Sequence, residues 1–185
     1  MSTTNDKVII TAALTGVLAT REQCPYLPYS PVEIAEEAKR SYDAGAVCVH
    51  IHARTEAGGP DWGLETFKQI KDEVRKRCPI ILNFSTGTMH DDTSEQEAII
   101  RECRPEIAAL NMGTMNYAKY SAKRKEFVFD MVFPNTFGKI ERYLDIMNAA
   151  GVKPELECFD AGHTNSIWPL YDLSLIHISE PTRLR

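Results

Sequence analysis

Short apolar strands alternate with amphipathic helices along this chain, and this alternation limits the possible folds more than any other feature. The strands are short apolar runs rich in β-branched residues, whereas the helices carry apolar residues on one side at helical spacing. Strands are predicted at residues 7–14, 46–52, 80–84, 107–110 and 155–159. Helices are predicted from Ser30 to Gly45, over 64–77, and after the caps Thr93 and Asn135. This order predicts an α/β fold with a parallel sheet covered by helices.

Two helix starts carry a clear local signal, and one region carries none. Ser30 with Glu33, and Thr93 with Gln96, both fit the capping-box pattern, in which two side chains satisfy free backbone N–H groups. Residues 111–134 show no clear period, so we expect an extended loop there.

Length and loop motifs favour different ways of completing the sheet. A chain of 185 residues suits an open doubly wound sheet, because a closed (β/α)8 barrel usually needs ~250 residues. However, no glycine-rich phosphate loop follows any strand, and polar residues lie within the strands and at their carboxyl ends instead. The pattern favours an incomplete (β/α)8 TIM barrel, made of roughly the first five β/α units.

Composition excludes several classes of partner. The formal net charge is −5 and no basic patch stands out, so neither nucleic acid nor anionic lipid is an expected partner. No segment approaches the ~18 consecutive apolar residues of a membrane span. The five cysteines are scattered without a C-x-x-C pair, which is typical of free thiols in a reducing cytosol. We therefore expect a cytoplasmic protein that acts on a small molecule.

The segment His50-Ile51-His52 is the sharpest functional signal. Side chains alternate along a strand, so the two imidazoles share a face with Cα atoms ~6.6 Å apart, and two nitrogens can meet one metal ion. Val47, Val49 and Ile51 form the opposite, apolar face, which directs the histidines to the other side of the sheet. Two buried histidines whose ring nitrogens hydrogen-bond to backbone or carboxylate groups would show the same pattern. The strand context favours metal binding.

Two carboxylates share one face of the fifth predicted strand, Glu155 and Glu157. Glu157 lies near the end of this strand and is a candidate substrate contact or acid/base group. An internal ion pair with an unidentified basic residue is the alternative interpretation. Asp160 is expected to cap a loop within reach of the same site.

Small hydroxyl residues follow the third and fourth strands. Ser85 opens a Ser-Thr-Gly-Thr segment whose backbone N–H groups can approach an oxyanion such as a carboxylate or thioester oxygen. Thr114 lies in a similar segment after the fourth strand and is expected beside the same opening. Plain polar turns are the alternative. The Lys-Arg-Lys run at residues 123–125 could attract a cofactor phosphate, although such runs are more often solvated loops.

Together these segments resemble the β-keto acid cleavage enzyme family, whose members include 3-keto-5-aminohexanoate cleavage enzyme-like proteins. The matching segments, in the right order, are 11–16, 45–54, 85–87, 111–117 and 154–157. Such ordered agreement over most of the chain is more specific than any single motif.

The resemblance implies a (β/α)8 barrel, a zinc ion held partly by His50 and His52, and exchange between a β-keto acid and acetyl-CoA to give acetoacetate and an acyl-CoA. By position, Ser85 and Thr114 would hydrogen-bond a substrate carboxylate or acyl oxygen, with Glu157 as a nearby polar contact. The full-length protein would be a homo-oligomer. One departure is Leu18, near where the best-known member of the family has a glutamate, and it argues against an amino-bearing substrate.

The resemblance also sets an expected domain boundary. The family's remaining metal carboxylate, acid/base aspartate and arginine come from later strands, and from Ser174 the sequence looks like translated sequencing adapter rather than family sequence. We therefore expect residues 1–173 to be the N-terminal part of a single TIM-barrel domain and residues 174–185 to be a non-native tail. His177 is then not a candidate ligand, and the fragment is expected to be inactive alone.

Two other functional classes fit some of the same residues. An amidohydrolase-type metal-dependent hydrolase also uses H-x-H on a barrel strand, but normally on the first strand, whereas here a strand precedes the pair. A non-catalytic metabolite-binding domain would need the pocket but no zinc. Metal analysis separates the binding domain from both enzymes, and acetyl-CoA-dependent acetoacetate formation separates the two enzymes.

Overall fold

Five parallel strands form the main sheet and lie side by side in chain order. The computed structural model describes residues 8–176. Its elements are β1 (Thr11–Ala13), α1 (Pro31–Asp43), β2 (Cys48–Ile51), α2 (Leu64–Arg75), β3 (Ile81–Phe84), α3 (Ser94–Cys103), β4 (Ile107–Asn111), β5 (Met115–Ser121), β6 (Glu126–Phe133), α4 (Phe137–Ala150), β7 (Lys153–Glu157), α5 (Ala161–Asn165) and α6 (Ile167–Asp172). The main sheet has the order β1-β2-β3-β4-β7, and every neighbouring pair is parallel. The predicted α/β fold with a parallel sheet is confirmed.

The outer face of this sheet is buried against the helices. Four side chains on two central strands are fully buried: Val49, Ile51, Leu82 and Phe84. They share one cluster with residues of α1 and α2, including Ile34, Ala38, Phe67 and Ile70. The rings of Phe67 and Phe84 meet edge to face with centroids 4.9 Å apart. Burial of each large apolar side chain contributes about 1.5–3 kcal/mol, so a one-residue shift of either strand would be costly.

Most of residues 111–134 form a β-hairpin, and the expected extended loop is wrong. β5 and β6 pair in antiparallel fashion, from Met115 opposite Phe133 to Ser121 opposite Glu126. The turn closes where the Lys125 N–H donates to the Ser121 carbonyl over 2.7 Å. The sequence conceals this hairpin because residues 127–129 are apolar without alternation and the turn carries Lys-Arg-Lys instead of Asn-Gly.

Only the first of the two predicted capping boxes is confirmed. The Ser30 hydroxyl accepts from the Glu33 N–H, and the Glu33 carboxylate accepts from the Ser30 N–H over 2.8 Å. The box at Thr93 is wrong, because its hydroxyl donates to the Glu97 carboxylate over 2.7 Å rather than capping α3. Glu97 is buried and also pairs with Arg142 at 2.5 Å. A buried carboxylate needs every available donor, which diverts the hydroxyl from the backbone.

The start of α4 also differs from the prediction. Thr136, not Asn135, caps this helix, and its hydroxyl accepts from the Lys139 N–H. The Asn135 backbone N–H instead donates to the Thr114 hydroxyl over 2.8 Å. A contact with the loop after β4 therefore replaces the predicted cap.

The remaining boundaries shift by a few residues. β1 is shorter than the predicted 7–14, of which residue 7 lies outside the described residues, and β7 begins and ends two residues before the predicted 155–159. Val47 precedes β2 and is 43% exposed instead of lying with Val49 on the buried face. The structure describes all five cysteines as free thiols. Within residues 8–176, no helix is long and apolar enough to cross a membrane.

The expected tail begins inside the described residues and ends outside them. Ile176 is buried and joins the cluster that includes Leu144 and Leu170. Residues 177–185, with His177, lie outside the described residues. The boundary at residue 173 stays a prediction.

Replacing Glu33 by Gln should lower the free energy of unfolding at neutral pH by about 0.5–1 kcal/mol, and this loss should shrink in acid. Backbone hydrogen bonds from Ser30 and Tyr29, together with Arg21, lower the pKa of Glu33 to about 2 from an ordinary 4.5. Because the folded pKa is depressed, the stabilisation is complete above pH 4.5 and disappears as the pH falls towards 2. Urea unfolding across this pH range measures the difference.

The matched control is Glu36→Gln, which changes an exposed glutamate on the same helix. It should leave the pH profile of stability close to that of the wild type. If the Glu33 and Glu36 variants gave the same profile, the capping role of Glu33 would be wrong.

Candidate metal centre

A row of polar side chains crosses the inner face of the sheet, opposite the helices. His50 on β2 lies beside Asn83 on β3 in the parallel register. Glu155 lies on β7, beside Ala109 of β4. The Asn83 amide donates through Nδ2 to Glu155 Oε2, across the intervening strand β4. Polar groups from three strands therefore meet on one face.

The two histidines of the H-x-H segment lie against each other. Their Nε2 atoms are 3.1 Å apart, and their ring centroids are 4.9 Å apart. Two ligand nitrogens on one tetrahedral zinc ion, each about 2.0–2.1 Å from the metal, are about 3.3 Å apart. The observed separation already matches this geometry.

Both imidazoles favour the neutral form that binds metals. Burial lowers the pKa of His52 to about 4, and the neighbouring His50 and Arg54 lower it further. Burial also lowers the pKa of His50, although the Glu155 charge and the Asn83 amide oppose that effect. Neutral imidazoles present a lone pair without first releasing a proton.

Two carboxylates complete a group of possible ligands. His50, Glu155 and Glu157 each offer one ligand atom, and these atoms all lie within 4.8 Å of one another. This spread is wider than a tetrahedral zinc shell of about 3.3 Å between ligands. Burial and the Glu155 charge raise the pKa of Glu157 to about 7, and no basic side chain offsets that rise.

The chemistry of this donor set fits a divalent cation. The His50 and His52 nitrogens face each other, and two carboxylates lie close to His50. Among residues 8–176, no basic side chain offsets the raised pKa of Glu157. His52 Nδ1 and Asn83 Oδ1 are also buried without a hydrogen-bond partner in the described part of the chain. Buried polar groups in such a concentration are costly unless a ligand or metal compensates them.

Arg54, which the sequence analysis did not single out, fixes the loops beside His52. Its guanidinium is buried and donates to three backbone carbonyls, those of Gly16, Ala19 and Gly58, over 2.5–2.8 Å. The Thr15 hydroxyl then accepts from the His52 N–H over 2.8 Å. The one sign of this role in the sequence is a charged residue two positions after the second histidine. Its hydrogen-bond acceptors could not be predicted, because they lie in loops whose conformation the sequence does not specify.

The two predicted hydroxyl residues have different surroundings. Ser85 is buried directly after β3, and its N–H donates to the Ile51 carbonyl over 3.1 Å. Thr114 is exposed, and its oxygen accepts from the Asn135 N–H. Among residues 8–176 neither hydroxyl hydrogen-bonds to the histidines or to Glu157, so their catalytic roles stay predictions.

Two further residues identified from the sequence have structural roles. Asp160 caps α5 by accepting from the N–H groups of Gly162 and His163. The Lys-Arg-Lys run at 123–125 lies at the exposed turn of the hairpin, which agrees with a solvated loop. Neither belongs to the group of possible metal ligands.

Comparison with known proteins identifies the family. The sequence profile of the β-keto acid cleavage enzyme family matches residues 7–184. The chain belongs to this family. The resemblance predicted from the order of the short segments is therefore confirmed.

Several β-keto acid cleavage enzyme relatives are similar over most of the chain. A 3-keto-5-aminohexanoate cleavage enzyme of Fusobacterium nucleatum is 37% identical, over 85% of this chain and 54% of the relative. A 3,5-dioxohexanoate:acetyl-CoA acetone transferase of Paraburkholderia graminis is 34% identical, over 93% of this chain and 60% of the relative. The chain thus spans little more than half the length of these relatives.

A solved structure supports the fold of this family member. The ternary complex of ObcA with a C4-CoA adduct and oxalate superimposes with a TM-score of 0.66 at 25% identity. The similarity covers 82% of this chain and 35% of ObcA. Both the relatives and this structure extend well beyond the matched region.

Substituting Gly113 by Ala should distort the segment that carries Thr114. A Cβ atom at Gly113 would lie 2.5 Å from His163 Cδ2, and the buried His163 ring is held where its Nδ1 accepts from the Phe159 N–H. We expect a loss of about 1–3 kcal/mol in the free energy of unfolding, because the ring has little freedom to move. Thermal or urea unfolding measures it.

Gly138→Ala is the matched control, because no atom lies within 4 Å of a Cβ built there. It should leave stability unchanged or raise it slightly, since alanine favours a helix interior over glycine. Equal stability of the wild type and the Gly113 variant would show that His163 does not restrict this position.

Proposed function

We propose that the complete protein is a zinc-dependent β-keto acid cleavage enzyme that exchanges a β-keto acid with acetyl-CoA to give acetoacetate and an acyl-CoA. The observation that carries the proposal is the position of His50 on the inner face of the sheet: its Nε2 lies 3.1 Å from that of His52, and its ligand atom lies within 4.8 Å of those of Glu155 and Glu157. Family membership supports the reaction class, and the named relatives are a cleavage enzyme and an acetyl-CoA transferase.

In this proposal, His50 and His52 hold zinc through their facing nitrogens, with a carboxylate from Glu157 or from a further strand completing the shell. When bound, zinc would act as a Lewis acid and stabilise negative charge on the β-keto oxygen during carbon–carbon bond exchange. Burial of both imidazoles supports this assignment because it keeps them neutral. The Thr15 hydroxyl orients the backbone of His52.

Two hydroxyl groups are proposed to hold the substrate, with Glu157 as a polar contact or acid/base group. Thr114 uses its oxygen to accept from the backbone, which leaves its O–H free to donate to a carboxylate. Ser85 lies at the carboxyl end of β3, the end at which ligands bind in parallel α/β sheets. Leu18 lies in the loop after β1 and is 53% exposed, so it offers no charge to an amino group of a substrate.

We further propose that residues 1–173 are the N-terminal part of one TIM-barrel domain, with residues 174–185 as a non-native tail. Five parallel strands in chain order, with no reversal among the described strands, support this proposal. A doubly wound sheet would reverse its order. The length of the relatives also supports it. Activity would then require the later strands, and the cytoplasmic location expected from the free thiols stays a prediction.

The amidohydrolase alternative gains no support from the structure. His50 lies on β2 and His52 directly follows it, with β1 paired beside β2 in the same sheet. An amidohydrolase would normally carry this pair on its first strand.

The decisive experiment uses the complete reading frame recovered from the source DNA. Its product, supplied with zinc, should form acetoacetate from acetyl-CoA and at least one member of a panel of β-keto acids. His50→Ala and His52→Ala should each reduce the rate by about 100-fold or more and lower bound zinc from about one ion per chain. The 185-residue chain should be inactive in the same assay.

His90→Ala is the control, because His90 is exposed in a loop outside the group of possible ligands. It should retain full activity and zinc. Acetoacetate formation that survives removal of both His50 and His52 would contradict the proposed metal site. A protein that binds zinc but never consumes acetyl-CoA would contradict the proposed reaction.

The full-length protein is also proposed to form a homo-oligomer through the hairpin. Phe127, Val128 and Val132 on β6 are 47–61% exposed, and apolar exposure of this kind is common at subunit contacts. Replacing Phe127 and Val132 by Glu should shift the assembly towards monomer in analytical ultracentrifugation. A monomeric wild type would refute this assignment, and Tyr26→Glu, at another exposed site, is the control.

A further inference from the structure

Asn83 occupies a position that the proposed chemistry does not yet use. It lies on β3, is fully buried, and stands beside His50 in the sheet register. Its Nδ2 donates to Glu155 Oε2, whereas its Oδ1 has no hydrogen-bond partner in the described residues. Leaving a buried carbonyl oxygen without a donor is costly, so a polar neighbour that can donate to it is strongly favoured.

The Glu155 carboxylate fixes the orientation of the Asn83 side-chain amide. An ionised carboxylate only accepts hydrogen bonds, so the NH2 end of Asn83 must face it. Rotating the amide by half a turn would place two oxygens against each other. Oδ1 is therefore directed away from Glu155. On the other side of β3 lies β2, which carries His50 opposite Asn83.

When Nε2 of His50 faces a metal ion, its Nδ1–H group needs a hydrogen-bond acceptor. Nε2 of His50 lies 3.1 Å from Nε2 of His52, so this nitrogen faces the candidate metal position. A neutral imidazole that coordinates through Nε2 carries its proton on Nδ1, and metal-bound histidines usually donate that proton to a fixed acceptor.

We propose that Asn83 is a positioning residue, whose Oδ1 accepts the Nδ1–H of His50 and holds the ring in the tautomer that presents Nε2 to zinc, while Glu155 fixes the orientation of the amide. This inference rests on the proposed metal site. It assigns Glu155 to orienting Asn83 and leaves Glu157 as the carboxylate free to approach the metal ion.

Zinc affinity is the first test, measured on the product of the complete reading frame by competition with a chromophoric chelator. Asn83→Leu keeps the side-chain volume but removes the acceptor, and it should weaken zinc binding by about 10–100-fold. Asn83→Asp keeps an acceptor oxygen and should recover part of that loss. Gln96→Leu is the matched control, because Gln96 is also a buried amide with an unpartnered oxygen but lies on α3. It should bind zinc as the wild type does.

The tautomer of His50 is the second test and needs no metal. In the metal-free wild type, nitrogen-15 NMR should show the proton of His50 on Nδ1. Asn83→Leu should give a mixture of tautomers. Glu155→Ala changes a partly exposed side chain and should also give a mixture, because the amide is then free to rotate. This variant keeps the test available if Asn83→Leu does not fold.

The outcomes separate this inference from the proposed function. If the wild type fails to bind zinc, or if His50→Ala binds as tightly as the wild type, both are overturned. If His50→Ala loses zinc but Asn83→Leu binds normally, or if the tautomer is the same in every folded variant, only the role of Asn83 is overturned. A loss of affinity in Gln96→Leu equal to that in Asn83→Leu would also overturn it.

Discussion

The candidate metal centre depends on the burial of two residues that never touch it. Val49 and Ile51 are fully buried against the helices, and a strand has only two faces, so His50 between them must point to the inner side. Leu82 and Phe84 impose the same constraint on Asn83 in the next strand. The apolar core therefore sets the direction of the polar residues, and the parallel register sets their order across the sheet.

Local sequence patterns predict most of the fold because the strands and helices carry their own periodicity. The helix after Ser30 has a capping box, a row of buried apolar residues and an end two residues before the predicted stop at Gly45. The hairpin of β5 and β6 was missed because its stability comes from cross-strand contacts, such as Tyr117 against Phe129, rather than from a recognisable turn. The failed box at Thr93 has a similar origin, since Arg142 and Glu97 meet only in the folded chain.

The site was predictable where residues lie close in sequence and unpredictable where they meet across strands. The shared face of His50 and His52 follows from alternation alone. The contact between Asn83 and Glu155 spans 72 positions and depends on the register of three strands, which no local pattern specifies. Arg54 shows the same limit, because each of its acceptors is a backbone carbonyl, and backbone carbonyls have no sequence signature.

The guanidinium of Arg54 limits how the loops beside His52 can change in length. It anchors the loop after β1 and the loop after β2 at once, and the first of these loops contains both Leu18 and the Thr15 hydroxyl that holds the backbone of His52. An insertion or deletion in this loop would displace the carbonyl groups that Arg54 binds, and with them Thr15 and the backbone of His52. Single substitutions at exposed positions such as 18 leave these contacts in place, whereas changes in loop length do not.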